Sequence, residues 1–275
     1  MTVVGHVTAV WWPPQGVLAA ALADAADRQR PFPGIPPEPE LPLRIFLAPT
    51  RALYDSLTRG RLPSWSEGAA FPGLGSVVLW SRGSPADLVV ALRHELAHVA
   101  LRRRVRHALP LWFEEGYASV AAGEWGRTQA FQLDWHLLGG AALELDSVDQ
   151  ALRGRAGEAA GAYALATTAV LLLERWGGGP PDGLRPLIDS LARAPTFDAA
   201  LRGADHVTLD RFEELWAQEV RHRYGWLAVL GATTLFWGVM GSLLAFVVWR
   251  RRRRDAPRRA ALDEGWNLPP DAPTA

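Results

Sequence analysis

The feature that most limits how this chain can fold is a long stretch near its C-terminal end that carries no charge. The stretch runs from Trp226 to Trp249, WLAVLGATTLFWGVMGSLLAFVVW, and five arginines at 250–254 follow it directly. As a helix it would be roughly 36 Å long, which exceeds the roughly 30 Å hydrocarbon core of a bilayer. Tryptophans at both ends are typical of membrane interfaces. The sequence therefore predicts one transmembrane helix at 225–249, which contacts the lipid bilayer through 226–249.

Composition narrows the partners and the metal ligands that the rest of the chain can have. The 275 residues contain 29 basic residues, all arginine, and 29 acidic residues, so the formal net charge is zero and no nucleic-acid partner is expected. The chain has no cysteine, which excludes disulfides, thiolate metal ligands and cysteine nucleophiles. Any metal ion must therefore be held by His, Glu or Asp side chains.

The order of the predicted elements indicates an α+β fold with a small N-terminal sheet and a helical C-terminal half. Strands are predicted where β-branched and aromatic residues cluster, at 3–12, 43–49 and 75–80, and 60–73 is predicted to be loop. Helices are predicted at 16–30, 50–59, 84–104, 110–122, 126–139, 158–176, 181–193 and 206–223. These elements form one domain over 1–224, and the charged, proline-containing tail at 250–275 is predicted to be disordered.

Two of the predicted helices carry informative signatures. The helix at 84–104 opens with Ser84 as N-cap, Pro85 in the first helical position and Asp87 two residues further on, which together indicate a helix start. The segment Ala159–Leu173 is apolar over 15 residues, which is too short to span a bilayer. It is predicted to be a buried core helix.

The segment LRHELAHVAL at 92–101 contains a metal-binding pattern. His94 and His98 are four residues apart, so on a helix both imidazoles lie on one face and can ligate one ion. Glu95 lies about 100° around the helix, where it can reach a water on that ion without binding the ion itself. Two neutral imidazoles and a neighbouring carboxylate base are what zinc-dependent hydrolysis needs. The alternative is a surface helix with two chance histidines.

A third ligand has two candidates in the next predicted helix. The stretch LPLWFEEGYASVAAG at 109–123 contains the adjacent carboxylates Glu114 and Glu115. One possibility is that they lie on a solvated helix face. The other is that they are buried beside a partner, because burying two carboxylates without one is costly. Their apolar neighbours favour the buried partner, and a metal ion would be one; these neighbours are Leu111, Trp112, Phe113, Tyr117 and Val120.

The two segments together resemble the gluzincin metallopeptidases, in particular the peptidase MA-like families. Those families combine a His-Glu-x-x-His helix with a downstream Pro-x-Trp-x-x-Glu-Gly-x-Ala stretch, which here reads PLWFEEGYA at 110–118. The resemblance covers 85–125 and implies a zincin-like fold. It assigns the third Zn²⁺ ligand to the glutamate before the glycine, Glu115, and it implies that Glu95 is the general base.

The chain departs from that pattern in two places. Where thermolysin-like gluzincins often have an aspartate that supports a zinc-bound histidine, this chain has Ser119. The sequence offers no obvious cationic histidine for the oxyanion, and Tyr163 is a candidate instead, since its phenol can donate to the developing charge. The alternative for Tyr163 is a core aromatic with a satisfied hydroxyl. The resemblance also implies that the strand at 75–80 is the sheet edge beside the cleft.

Charges beside the transmembrane segment predict its orientation. Seven arginines lie at 250–259, whereas only three lie before the segment within a comparable distance. The positive-inside rule then places the C-terminal tail in the cytoplasm and the catalytic domain outside. An export signal is expected upstream of Met1, because no positive charge precedes Arg28. The alternative is a tail-anchored protein with a cytoplasmic domain.

These observations predict a membrane-anchored zinc peptidase that hydrolyses a peptide or protein substrate by Glu-assisted attack of zinc-bound water. In this prediction His94, His98 and Glu115 bind Zn²⁺, and Glu95 and Tyr163 act in catalysis. Two alternatives stay open. One is a catalytically degenerate, membrane-tethered zincin-like domain used for binding or assembly, and the other is a tail-anchored helical adaptor without metal.

Overall fold

A computed structural model describes residues 1–37, 41–60, 62–63, 66–126, 133 and 143–264, with side chains described outside 225–236 and 255–264. The chain divides into two units, Met1–Gly225 and Trp226–Ala275. The first unit combines a sheet, whose strands all precede residue 81, with helices that mostly follow it. This confirms the predicted α+β class, with the sheet in the N-terminal part and helices in the C-terminal half.

The sheet of the first unit is mixed, with parallel strands in the middle and antiparallel strands at both edges. Its strands are β1 (Thr2–Val4), β2 (Val7–Trp11), β3 (Leu43–Ala48), β4 (Gly68–Phe71) and β5 (Ser76–Trp80). The spatial order is β1-β2-β3-β5-β4; β2, β3 and β5 run parallel, and β1 and β4 are antiparallel to their neighbours. In the described sheet, β4 is therefore the edge strand next to β5.

Two strand predictions differ from the structure. The stretch at 3–12 is predicted as one strand but forms a hairpin, because Gly5 adopts a φ of +52° and turns the chain between β1 and β2. The predicted loop at 60–73 contains β4, so the prediction that 75–80 is the edge strand is wrong. The sequence of β4 is Gly-Ala-Ala-Phe, which lacks the β-branched residues typical of strands. Pairing with β5 determines its conformation.

The helices of the first unit agree with most of the predicted ones to within a few residues. They are α1 (Gly16–Asp27), α2 (Arg51–Thr58), α3 (Pro85–Arg104), α4 (Leu111–Ala122), α5 (Leu145–Leu152), α6 (Ala156–Trp176), α7 (Arg185–Leu191), α8 (Phe197–Asp205) and α9 (Leu209–Glu264), which continues beyond this unit. The sequence does not predict α5 and α8, because short helices show too few apolar repeats. The helix predicted at 126–139 lies almost entirely outside the described residues.

Helix α3 forms as its sequence predicts. The Ser84 hydroxyl accepts from the Asp87 N–H, and the Asp87 carboxylate accepts from the Ser84 N–H, so the capping box is complete. The helix buries an apolar stripe against the core, formed by Leu88, Leu92, Leu96 and Val99. His94, Glu95 and His98 are mostly but not fully buried, and they line a cleft.

Helix α6 runs through the core and contacts α4 closely. Among the described residues, α6 is a helix long and apolar enough to cross a membrane, but 67% of its apolar window is buried inside the protein. This burial agrees with its predicted place in the core. Helix α4 approaches it at Gly116, where an added Cβ would lie 2.4 Å from the carbonyl oxygen of Ala166. Only a residue without a side chain allows these two backbones to come so close.

The second unit is described by its helical backbone and by the side chains of 237–254. The helical backbone of α9 continues to Glu264, so the tail predicted to be disordered is helical up to that residue. Its arginines, alanines and leucine favour helix, and 265–275 lies outside the described residues. Large apolar side chains of this segment are 43–67% exposed, namely those of Trp237, Val239, Met240, Leu243, Leu244, Phe246, Val247, Val248 and Trp249.

Replacing Gly116 with alanine is expected to destabilise the protein by about 1–3 kcal/mol, because the new methyl group has to displace the Ala166 backbone. Gly157→Ala is the matched control on α6. An added Cβ at Gly157 meets nothing within 4 Å, so stability should stay the same or rise by up to about 1 kcal/mol. Thermal unfolding of the full chain in detergent, followed by tryptophan fluorescence, compares the two. Equal melting temperatures would contradict the close contact between α4 and α6.

Candidate metal centre

Three side chains from two neighbouring helices converge in a cleft. His94 and His98 lie one turn apart on α3, and Glu115 lies on α4. The Oε2 atom of Glu115 is 3.4 Å from Nε2 of His94 and 3.8 Å from Nε2 of His98. The three side chains are mostly buried, with exposed fractions of 13–17%. Their ligand atoms all lie within 4.8 Å of one another, so the structure brings together the three residues that the sequence identifies as ligands.

The two separations between the carboxylate and the imidazoles are close to those of donor atoms around a zinc ion, and the ligand atoms of the two imidazoles lie within 4.8 Å of each other. Tetrahedral coordination with bonds of about 2.0–2.1 Å places neighbouring donor atoms about 3.4 Å apart. The distances of 3.4 and 3.8 Å in this site are at that value or slightly above it. Two imidazole nitrogens and one carboxylate oxygen are a donor set that zinc uses where a fourth position stays open for chemistry. These residues therefore fit a zinc ion.

The adjacent carboxylate, Glu114, has a different partner. It forms an ion pair with Arg102, which extends from the last turn of α3. Burial raises the pKa of Glu114, and the Arg102 guanidinium opposes that rise. Successive residues point about 100° apart around a helix, so Glu114 and Glu115 face different partners. Of these two candidate ligands, the structure places Glu115 against the histidines.

Glu95 lies beside the three candidate ligands and against the edge strand. An added Cβ at Gly68 in β4 would lie 2.3 Å from Oε1 of Glu95, so the absence of a side chain at Gly68 makes room for the carboxylate. Burial raises the pKa of Glu95 to about 7, although the charge of His94 opposes the rise. A carboxyl group with a pKa near neutrality can both accept and return a proton under physiological conditions.

Tyr163 lies at the same site. The ring centroids of Tyr163 and His94 are 6.4 Å apart, and the Tyr163 hydroxyl hydrogen-bonds the carboxylate of Glu115. The residue comes from α6 and lines the cleft together with the histidines. Its hydroxyl is therefore both satisfied and next to a candidate ligand. A catalytic role for Tyr163 stays a prediction.

The structure adds one residue to the site that the sequence does not identify. Glu124 lies just beyond α4, and its Oε1 atom is 3.1 Å from Nδ1 of His94. The sequence does contain a signal for its position, which is Gly123. This glycine ends α4 in the left-handed conformation with a φ of +74°. Such a glycine reverses the chain at a helix end and can return the next residue toward a neighbouring helix.

Electrostatics distinguish the two histidines. Burial disfavours the charged imidazole at His94, but hydrogen bonds to Glu115 and Glu124 outweigh burial and raise its pKa well above the usual value. At His98 burial dominates and lowers the pKa to about 4. Burial opposes ionisation of Glu115 and Glu124 as well, yet contacts with the histidines lower both pKa values. The carboxylates of Glu115 and Glu124 thus flank one imidazole, an arrangement of acceptor oxygens that favours a bound cation.

The cleft around the cluster is large enough for a segment of polypeptide. Its volume is about 540 Å³. One wall is formed by the edge strand β4, and the floor is formed by the candidate ligands on α3 and α4. Apolar and cationic side chains complete the lining, among them Leu62, Phe71, Leu111, Leu152, Arg102 and Arg153.

No protein-family model matches this chain, and comparisons with curated proteins and with solved structures give no match. The function of this protein is therefore inferred from the geometry of the site.

Glu115→Ala is expected to weaken zinc binding by more than about 100-fold, because it removes one of three protein ligands. Glu114→Ala is the matched control, since it removes the adjacent carboxylate but leaves the group at the histidines intact. Competition with a chromophoric chelator measures the affinity of each purified full-length variant. If Glu114→Ala were the variant that loses zinc, the ligand assignment would be reversed.

Proposed function

We propose that this protein is a membrane-anchored, zinc-dependent peptidase with a zincin-like fold. The observation that carries the proposal is the convergence of two imidazole nitrogens and one carboxylate oxygen, from His94, His98 and Glu115, within 4.8 Å of one another. The carboxylate oxygen is 3.4 and 3.8 Å from the two nitrogens, close to the separations around zinc. Glu95, with its raised pKa, lies beside them in the same cleft. This combination supplies both a metal site and a base for the attack of water.

The reaction is hydrolysis of a peptide bond. A zinc ion held by the three ligands would polarise the substrate carbonyl and make water more acidic. Glu95 accepts a proton from the attacking water as the oxygen forms a bond to the carbonyl carbon. The carbon–nitrogen bond then breaks, and Glu95 returns the proton to the leaving amine. The Tyr163 hydroxyl, at the side of the cluster, donates to the charge that develops on the carbonyl oxygen.

The edge strand β4, which lines the cleft, favours an extended peptide as the substrate because such a peptide can pair with a free strand edge. The Trp80 N–H donates to the Glu67 carbonyl, so in the antiparallel register Gly68 and Ala70 direct their N–H and C=O groups away from β5. The Gly68 carbonyl accepts the Tyr54 hydroxyl at 2.6 Å. Ala70 is thus the point on this strand at which the backbone of an extended peptide can pair, with its scissile bond near Glu95.

Glu95→Gln is expected to retain zinc but to lose about 10²–10⁴-fold in kcat/KM, because an amide cannot accept the proton from water. Glu214→Gln, at an exposed position on α9, is the control and should keep full activity. Zinc content and cleavage of a fluorogenic peptide mixture are measured on the same preparations. Wild-type protein with stoichiometric zinc and no turnover would instead support the non-catalytic, membrane-tethered domain.

The membrane anchor in this proposal is the segment at 226–249. In its described part, the apolar side chains between 237 and 249 are largely exposed, as expected for side chains that contact lipid. Arg250–Arg254 follow and are exposed. Moving these charges across the hydrocarbon core is costly, so the arginines stay cytoplasmic and the domain that contains the cleft faces the exterior.

Labelling of single cysteines tests this orientation, since the chain has none of its own. Gln150→Cys places a thiol at an exposed position in the domain, and Ala275→Cys places one at the end of the tail. A membrane-impermeant maleimide should label intact spheroplasts that carry Gln150→Cys but not those that carry Ala275→Cys. Permeabilised spheroplasts, as the control, should give labelling of both. The opposite pattern in intact spheroplasts would establish a tail-anchored protein with a cytoplasmic domain.

A further inference from the structure

We propose that Glu124 is a positioning residue for the metal site, which holds His94 in the orientation and tautomer that a metal ligand needs. The inference rests on the proposed zinc site. It concerns a residue outside the motif at 94–98 and outside the Glu-Gly motif. In this structure the Glu124 carboxylate, nine residues after Glu115, contacts a candidate zinc ligand, whereas thermolysin-like gluzincins often have the supporting carboxylate at the position of Ser119.

Carboxylates lie on both sides of the His94 ring. Glu124 Oε1 lies 3.1 Å from Nδ1, and Glu115 Oε2 lies 3.4 Å from Nε2. A carboxylate at Nδ1 accepts a hydrogen bond from the N–H of that nitrogen. The proton then stays on Nδ1, and the lone pair of Nε2 is free to bind a metal ion. Glu124 is therefore on the side of the ring where it orients the ligand and does not compete with it.

The backbone at the end of α4 holds Glu124 in this position. Gly123 adopts the left-handed conformation, and two backbone hydrogen bonds close the turn that ends α4. The Gly123 N–H donates to the Val120 carbonyl at 3.1 Å, and the Glu124 N–H donates to the Ser119 carbonyl at 3.0 Å. The Glu124 main chain is thus part of the end of α4 and not of a free loop.

A neighbouring contact connects this turn to the helix that carries the histidines. The guanidinium of Arg93, which precedes His94 on α3, donates to the Ala121 carbonyl in the last turn of α4. On the other side of Glu124, the ring of Trp125 packs edge-to-face against Tyr224, with centroids 6.1 Å apart. Both contacts restrict how far Glu124 can move from the His94 ring.

The chemistry explains why such a residue matters in this chain. A ligating histidine whose second nitrogen donates to a carboxylate is held in one orientation and is a stronger base. Ser119, at the position of the supporting carboxylate in the resembling families, has only a short hydroxyl and no charge. The side chain of Glu124 is mostly buried, at 26% exposed, so its charge acts on His94 with little screening by water.

The test compares Glu124→Ala, Glu124→Gln and Glu114→Gln in the full-length protein. Removal of a carboxylate that supports a zinc histidine costs about 10–100-fold in metal affinity, which is the loss expected for Glu124→Ala. Glu124→Gln should lie between that variant and the wild type, because its amide oxygen still accepts from Nδ1 but carries no charge. Glu114→Gln, whose carboxylate pairs with Arg102, should bind zinc like the wild type.

A spectroscopic measurement separates positioning from a general effect on folding. With Co²⁺ as the probe, the d–d absorption bands should shift in Glu124→Ala, because His94 binds at a different angle, and should return toward the wild type in Glu124→Gln. Wild-type zinc affinity and unchanged cobalt spectra in both variants would overturn the role of Glu124 and leave the proposed peptidase intact. A wild-type protein that binds no zinc would overturn both.

Discussion

The close approach of α4 to α6 at Gly116 is the contact on which the rest of the site depends. An added Cβ at this position would lie 2.4 Å from the Ala166 carbonyl oxygen, so the two helix backbones almost touch. Glu115 is the preceding residue, and the same approach places its carboxylate next to α3, within 3.4 and 3.8 Å of the two histidine nitrogens. Tyr163, on α6, is brought to the same point. The glycine after Glu115 is thus a packing requirement that also helps to position a candidate ligand.

A second constraint is the number of ionisable groups that this region buries. Trp112 and Phe113 are 2% and 0% exposed, so this region is apolar and closed to water. Burying a carboxylate here without a partner would destabilise the protein by several kcal/mol. The structure separates the carboxylates into two sets, in which Glu114 pairs with Arg102 while Glu115 and Glu124 pair with His94. The second set places two mostly buried carboxylates against one imidazole. A bound cation would complete its compensation, and such a cluster is more typical of a functional site than of a stabilising one.

Local sequence was sufficient to predict the elements that carry the histidines. The capping box at Ser84 and the apolar repeat of α3 are determined within a few turns of one helix, so the prediction of that helix is confirmed. The edge strand was predicted at the wrong position. The strand β4 has no sequence signature of its own, because its conformation comes from pairing with β5 and its Gly68 is selected for the room that Glu95 needs. Glu124 was missed for a related reason, since its partner is 30 residues away in the chain.

The sequence by itself determined the features that need only neighbouring residues. These are the charge-free segment at 226–249 with its arginine flank, the i, i+4 spacing of His94 and His98, and the absence of cysteine ligands. The resemblance had favoured Glu115 over Glu114, but only the tertiary structure placed Glu115 against the histidines and Glu114 against Arg102. It also placed Tyr163 beside the cluster and identified Glu124. Each of these depends on how α3, α4 and α6 pack. A side chain's direction around a helix follows from local geometry, but its partner depends on which helix packs against that face.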